Sequence, residues 1–377
     1  MAFAVLYLPL VEEFGASRGD VALVQSVALL LGGFTGPIVG WGIDRLGPRR
    51  FFPACALLAI VGLVLASRAR SLPVLILTYG VLGGLGLSGL ASQANMTVAA
   101  LWYPHARGRA IAAVDLGTGF GAFAFIPLGQ VLLSSFGWRS VLLAWAGLLA
   151  AIIIPANLFQ RLPDHPQAAV GSARGADRRA ASWTLGGALR TGAFWNLAGA
   201  RWCSAMGFPL MNVHMVAFAV GAGVPAVEAA AALGSVSLVS LPGRLATGWL
   251  ADRIGRAQTL AITYASAIAG IACLTMVAWQ GAHAWLAAYV LFFGLAQGSA
   301  GIVASARTAD IFAGPAFGTI YGWMSLAVGP GEAIGAWMGG AVFDRTGGYL
   351  AGFGFVAVVL VAAVALMWRV RPPAGSG

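Results

Sequence analysis

Apolar stretches of about twenty residues or more follow one another along this whole chain, separated by short polar loops. Each is long enough to cross the roughly 30 Å hydrocarbon layer of a bilayer as a helix, so lipid is the solvent the chain is built for. Composition agrees: 59% of the 377 residues are hydrophobic and 9% are charged, whereas a soluble domain carries roughly a quarter charged residues. A soluble core cannot absorb such a chain. The 53 glycines fit the same environment, because small residues let membrane helices approach closely where no hydrophobic effect drives them together.

Candidate spans lie at 1–14, 19–42, 50–67, 73–102, 109–136, 139–160, 192–220, 227–250, 257–279, 284–306, 316–343 and 349–369. That is twelve, the first truncated. Only eleven residues precede Glu12, about 16 Å at 1.5 Å per residue, so the first span is read as incomplete. Residues 161–190 form the one long polar stretch and read as a linker. The predicted architecture is all-α: a six-helix bundle over 1–160, the linker over 161–190 and a second six-helix bundle over 191–377.

An internal repeat supports that division. GWGIDRLGPR at 40–49 matches GWLADRIGRA at 248–257 in the residues Gly40, Trp41, Asp44, Arg45 and Gly47 against Gly248, Trp249, Asp252, Arg253 and Gly255. The offset is 208. PLGQVLLSSFGWRS at 127–140 corresponds to WMGGAVFDRTGGYL at 337–350 with an offset of 210.

The formal charge of +10 raises nucleic acid as a partner, and the positions of the basic residues remove it. All 22 are arginine; fifteen fall on one side when alternate loops are assigned to opposite sides, five on the other, and Arg201 and Arg244 lie inside apolar segments. This positive-inside bias places the linker and the C-terminus in the cytoplasm and the chain in a cell (inner) membrane. Cys55, Cys203 and Cys273 sit in apolar segments without paired spacing, which points to neither a disulfide framework nor a metal site. No cofactor is implied.

Polar residues inside spans are costly unless they face a cavity or the protein interior. In the eighth segment Ser237, Ser240, Arg244 and Thr247 share one helical stripe; in the eleventh Tyr321, Ser325 and Glu332 do so, and in the fourth Ser88, Ser92 and Asn95. The third, sixth and twelfth segments carry almost nothing polar and are expected against lipid. The predicted arrangement is a helical bundle around a polar cavity.

The doubled DRxG loops resemble the signature of the major facilitator superfamily. Within it, YLPLVEEFGASRG (7–19), PLGQVLLSSFGWR and FGTIYGWMSL (317–326) are similar to the monocarboxylate transporter and oxalate/formate antiporter branch. The resemblance implies two pseudo-symmetric bundles, alternating access, and movement of a small organic acid, usually with a proton, by a protein acting as a monomer. It also implies that Gly40, Asp44, Arg45 and Gly47, with Gly248, Asp252, Arg253 and Gly255, steady one conformation rather than bind substrate. Independently, a carboxylate at a helix junction can meet a helix's positive end and neighbouring arginines.

Arg244 lies roughly 12 Å inside its helix at 1.5 Å per residue from Asp252, where a guanidinium needs an anionic partner. Its planar fork suits a carboxylate, so it either anchors substrate or forms a structural ion pair. Its position resembles the substrate-binding arginine of the monocarboxylate branch, although Ser240 stands where some members carry an acid. Ser237, Ser240, Asn95, Ser92, Tyr321 and Ser325 are the other candidate substrate contacts. Glu332 and Asp115 are candidate proton carriers; Glu332 could instead pair with Arg244 or Arg201. Arg307 and Asp310, three apart, are expected to pair, and His214 to be a hydrogen-bonded histidine. The chain has no lysine, which disfavours oxalate exchange through a lysine. Neither HExxH nor GxSxG occurs, and GTGFGAF (117–123) lies in an apolar helix, so no enzyme is indicated. Efflux of amphipathic compounds and a truncated, non-transporting homologue are the alternative readings.

Overall fold

The computed structural model describes residues 3–103, 107–160, 183–280, 283–312, 314 and 316–371; most of the predicted linker lies outside them. Among the described residues the regular structure is helical. Eight helical stretches among the described residues are long and apolar enough to cross a membrane, against twelve expected spans, and the difference has local causes. The first helix, Phe3–Phe14, is 12 residues long. The second is broken at Thr35 between Arg18–Phe34 and Gly36–Leu46, where Pro37 brings no backbone N–H to continue the ladder. The eleventh is broken between Phe317–Ser325 and Val328–Thr346. The fifth and sixth run together in Arg107–Leu148. Counting those pieces as parts of spans restores the expected twelve.

The corners between spans are made by the repeated glycines. Gly47 and Gly255, the last residues of the two GWxxDRxG copies, have φ of 73° and 99°. Gly137 and Gly347, matched in the second repeat, have φ of 78° and 71°. An L side chain is disfavoured in this region and glycine is not. The first repeat is thus also a repeat of backbone geometry, with ψ of 157° and 158°, whereas the second pair shares a positive φ at ψ of 168° and 8°; one pair of glycines turns the chain at each end of the bundles.

Packing follows from the small residues. Helix two lies along Val328–Thr346 of helix eleven, and helix five along helix eight, Ala226–Ile254. Gly33 and Gly329 meet backbone to backbone: a Cβ on Gly33 would lie 2.3 Å from the Gly329 Cα. The expected lipid-facing spans present large apolar side chains outward, including Leu57 and Val61 in Pro48–Ala66, Leu143 in the sixth span, and Val358, Val361 and Trp368 in Leu350–Arg369.

Candidate functional site

The two bundles are tied together at the end opposite the GWxxDRxG loops. Helix two begins at Arg18, and Asp344 from helix eleven caps it: its carboxylate accepts from the Arg18 N–H at 2.9 Å and the Gly19 N–H at 2.7 Å. A helix N-terminus presents unpaired donors and a partial positive charge, so a carboxylate there is a favourable tie. Arg18 Nη1 also donates to the Tyr349 hydroxyl at 2.6 Å, its guanidinium lies 3.6 Å from the Phe343 ring centroid, and the Tyr7 hydroxyl donates to the Arg18 carbonyl at 2.7 Å. Tyr7 sets its ring edge on buried His214 at 4.8 Å. His214 is hydrogen-bonded as expected, with Nε2 2.8 Å from the Ala336 carbonyl.

Past the Gly33–Gly329 crossing, helices two and eleven part. A cavity of about 370 Å³ opens there, lined by Gly33, Gly36, Thr319, Gly322, Trp323 and Ser325. The molecule is therefore closed along this seam on one side of the crossing and open on the other.

On the opposite flank, where helix five meets helix eight, Arg244 Nη1 donates to Asp115 Oδ2 in an ion pair that joins the two bundles. The side chains are 27% and 18% exposed, so the pair is largely sheltered and its charges are screened less than those of a surface pair. Asp115 occupies one end of the guanidinium. Arg244 Nε is buried without a hydrogen-bond partner among the described residues, and it lies against Gly298, where a Cβ would come within 2.4 Å of it. Gly298, at φ 92°, is the break between His283–Ala296 and Ser299–Ile311.

The sequence model described as Major Facilitator Superfamily matches residues 1–306. The chain belongs to that superfamily. Among curated relatives, monocarboxylate transporter 13 of Rattus norvegicus is 27% identical over 366 residues, covering 96% of this chain and 82% of the relative. Monocarboxylate transporter 3 of the same species is 30% identical over 351 residues, covering 92% and 71%. A solved D-xylose-proton symporter superposes with a TM-score of 0.76 at 17% identity, over 100% of this chain and 94% of that one, which speaks to the fold alone. The chain is a multi-pass membrane transporter of the superfamily, related to the monocarboxylate transporters.

Within the superfamily fold the other candidate residues separate. Ser237 and Ser240 are buried, and the Ser240 hydroxyl donates to the Ser237 carbonyl at 2.7 Å. Asn95 Nδ2 donates to the Leu90 and Ala91 carbonyls at 3.2 and 3.3 Å, where helix four breaks before Ser92–Trp102. Ser92 is half-buried at the start of that piece. The Tyr321 hydroxyl accepts from Arg201 Nη1 at 3.1 Å. Ser325 lines the cavity between helices two and eleven, and Glu332 sits half-buried three residues beyond Gly329. Arg244 pairs with Asp115 rather than Glu332.

The two GWxxDRxG loops differ in surroundings. Asp252 accepts from Arg256 Nη1 at 2.6 Å, and Arg256 Nε donates to Asp310 at 3.2 Å, joining the ends of helices eight and ten. Arg253 lies over Trp249, 4.4 Å from its centroid. Gly40 and Arg45 are exposed, and Gly248 has open space beside it; the Asp44 side chain lies outside the described residues. The expected Arg307–Asp310 pair is corrected: Asp310 holds Arg256, while Arg307 Nη2 donates to the Val370 carbonyl at 2.9 Å. A helical spacing of three allows a contact but does not outbid a neighbouring helix. The inter-bundle tie of Tyr7, Arg18, Asp344 and Tyr349 escaped sequence reasoning, although Arg18 and Asp344 lie in segments already singled out as motifs.

Proposed function

We propose that this transporter moves a small monocarboxylate together with a proton by alternating access, with Arg244 as the anion's anchor and Asp115 as the proton carrier. The bundles are taken as 1–160 and 191–377 about a cytoplasmic linker at 161–190, in a cell (inner) membrane, acting as a monomer. The relatives' name supplies the substrate class, and the observation that carries the reading is the Arg244–Asp115 pair across the bundle interface.

A carboxylate substrate and Asp115 compete for the same guanidinium donors. If the substrate takes them, Asp115 loses its counter-charge in a sheltered site, and a proton carried with the substrate replaces the guanidinium there. The site then holds Arg244 cation, substrate anion and neutral Asp115: one anion and one proton have entered and the net charge of the site is unchanged. Neutral loading avoids carrying charge through a low-dielectric interior. Glu332, half-buried beyond the Gly329 crossing, is the second carboxyl that could serve.

The test is uptake of radiolabelled lactate and pyruvate by proteoliposomes with and without a pH gradient. Arg244→Ala is expected to abolish uptake, and undiminished uptake would refute the anchor. Asp115→Asn is expected to leave residual uptake that no longer responds to the pH gradient. A retained response would remove Asp115 from coupling and bring Glu332→Gln forward as the next variant.

A further inference from the structure

Helices four and six each contain a stretch of π-helix, Ile76–Gly83 and Leu149–Ile153. Such stretches are uncommon and often mark functional positions. These two lie on the same cavity, a slot of about 330 Å³ inside the N-terminal bundle: Tyr79 comes from one, and Leu149 and Ile152 from the other. Its floor is Leu6 and Leu63, 2% and 3% exposed; Leu87, Phe125 and Ile152 stand at its mouth, 38%, 41% and 53% exposed. The slot thus reaches from the outer surface of the bundle to its core.

Its depth in the membrane follows from helix four. Tyr79 and Leu87 lie 7 and 15 residues beyond Leu72, roughly 10 and 22 Å along the helix at 1.5 Å per residue. The mouth therefore opens at hydrocarbon depth. The walls are aliphatic side chains and aromatic rings, with Phe125 set edge-on to Trp145 at 5.6 Å. Water entering such a space would find too few polar partners to stay, and an empty space of this size forfeits the contacts of its lining. A carboxylate would meet no cation there, and of the lining residues only Tyr79 and Trp145 carry a polar hydrogen, so the slot is separate from the route proposed for the transported anion.

We infer that this slot holds one acyl chain of a membrane lipid, inserted from the bilayer between helices four and six. The chain's length and flexibility suit a narrow hydrocarbon-lined cleft, and the bilayer supplies it at the mouth. The lipid is a structural ligand that fills the N-terminal bundle, and the π-helical stretches widen the two helices where it enters.

The inference is tested on the unaltered protein reconstituted with a phospholipid bearing a photoactivatable diazirine in its acyl chain. After illumination, peptide mass spectrometry should find adducts on the floor residues Leu6 and Leu63, which bulk lipid sliding over the surface cannot reach. Adducts confined to Leu87, Phe125, Ile152 and other outward-facing positions would overturn it. As a second measurement, the double variant Leu149→Phe, Ile153→Phe fills the slot, with Val361→Phe on the lipid face of helix twelve as control. Floor labelling should fall at least tenfold in the filled variant and stay unchanged in the control. Equal floor labelling in both variants would also overturn the inference.

Discussion

At the residue scale the decisive chemistry is that of Arg244. Its Nη1 is taken by Asp115 and its Nε faces Gly298 without a partner among the described residues, so they leave the group half-satisfied. A planar guanidinium can offer two parallel donors to one carboxylate and an ammonium cannot. Arg244→Lys therefore keeps the charge but should raise the KM for a monocarboxylate on the order of tenfold, the cost of about 1.4 kcal/mol of lost hydrogen bonding; saturation curves of proteoliposome uptake would measure it. An unchanged KM would mean that charge alone holds the anion. That Arg244 is special was legible in the sequence, because an arginine deep in an apolar helix must have a partner. The partner's identity was not, since Asp115 lies 129 positions away and helical periodicity says nothing about which helices are neighbours.

At the scale of elements, the glycines divide into two kinds. Those at the corners are held by backbone conformation. Gly137→Ala places a Cβ at φ 78° and ψ 168°, and a cost of about 1–3 kcal/mol is expected from this essentially glycine-only region, read as a lowered melting temperature in detergent relative to Gly147→Ala, a position with open space beside it. Equal melting would show that the corner relaxes freely. Those at crossings are held by proximity. Gly33→Ala cannot be accommodated without separating helix two from helix eleven, because the new methyl would overlap the Gly329 backbone. Ser26, seven residues from both Gly19 and Gly33 and buried on the same helical stripe, reports on that seam. In a background with the three native cysteines replaced, Ser26→Cys should be labelled by a membrane-impermeant maleimide several times faster when Gly33→Ala is present. The corner glycines could be found from the repeat; the crossing glycines could not be told apart from the other glycines in the spans until their neighbours were known.

At the scale of the whole molecule, the seam between helices two and eleven is closed on one side of the Gly33–Gly329 crossing and open as a cavity on the other. Two bundles that rock about such a crossing exchange one opening for the other. The Asp344 cap on helix two, with Arg18 on Tyr349 and Phe343, is the polar tie that favours the closed side. Asp344→Ala removes the carboxylate and leaves two backbone donors uncapped, so Ser26→Cys labelling should rise without substrate. Labelling that stays at the wild-type rate would place the closing energy in the apolar packing alone.

Span number and the family follow from the sequence by itself, because hydrocarbon thickness sets segment length and the duplicated GWxxDRxG loop marks the same corner twice. Breaks at Thr35, Gly298 and Leu326–Ala327, the Arg244–Asp115 and Arg256–Asp310 pairs, and the slot beneath the two π-helical stretches were decided only by tertiary structure. Each depends on which helices lie side by side and how deeply they interlock. In a chain whose spans are all apolar and rich in small residues, many pairings bury similar surfaces, and only the assembled bundle selects among them.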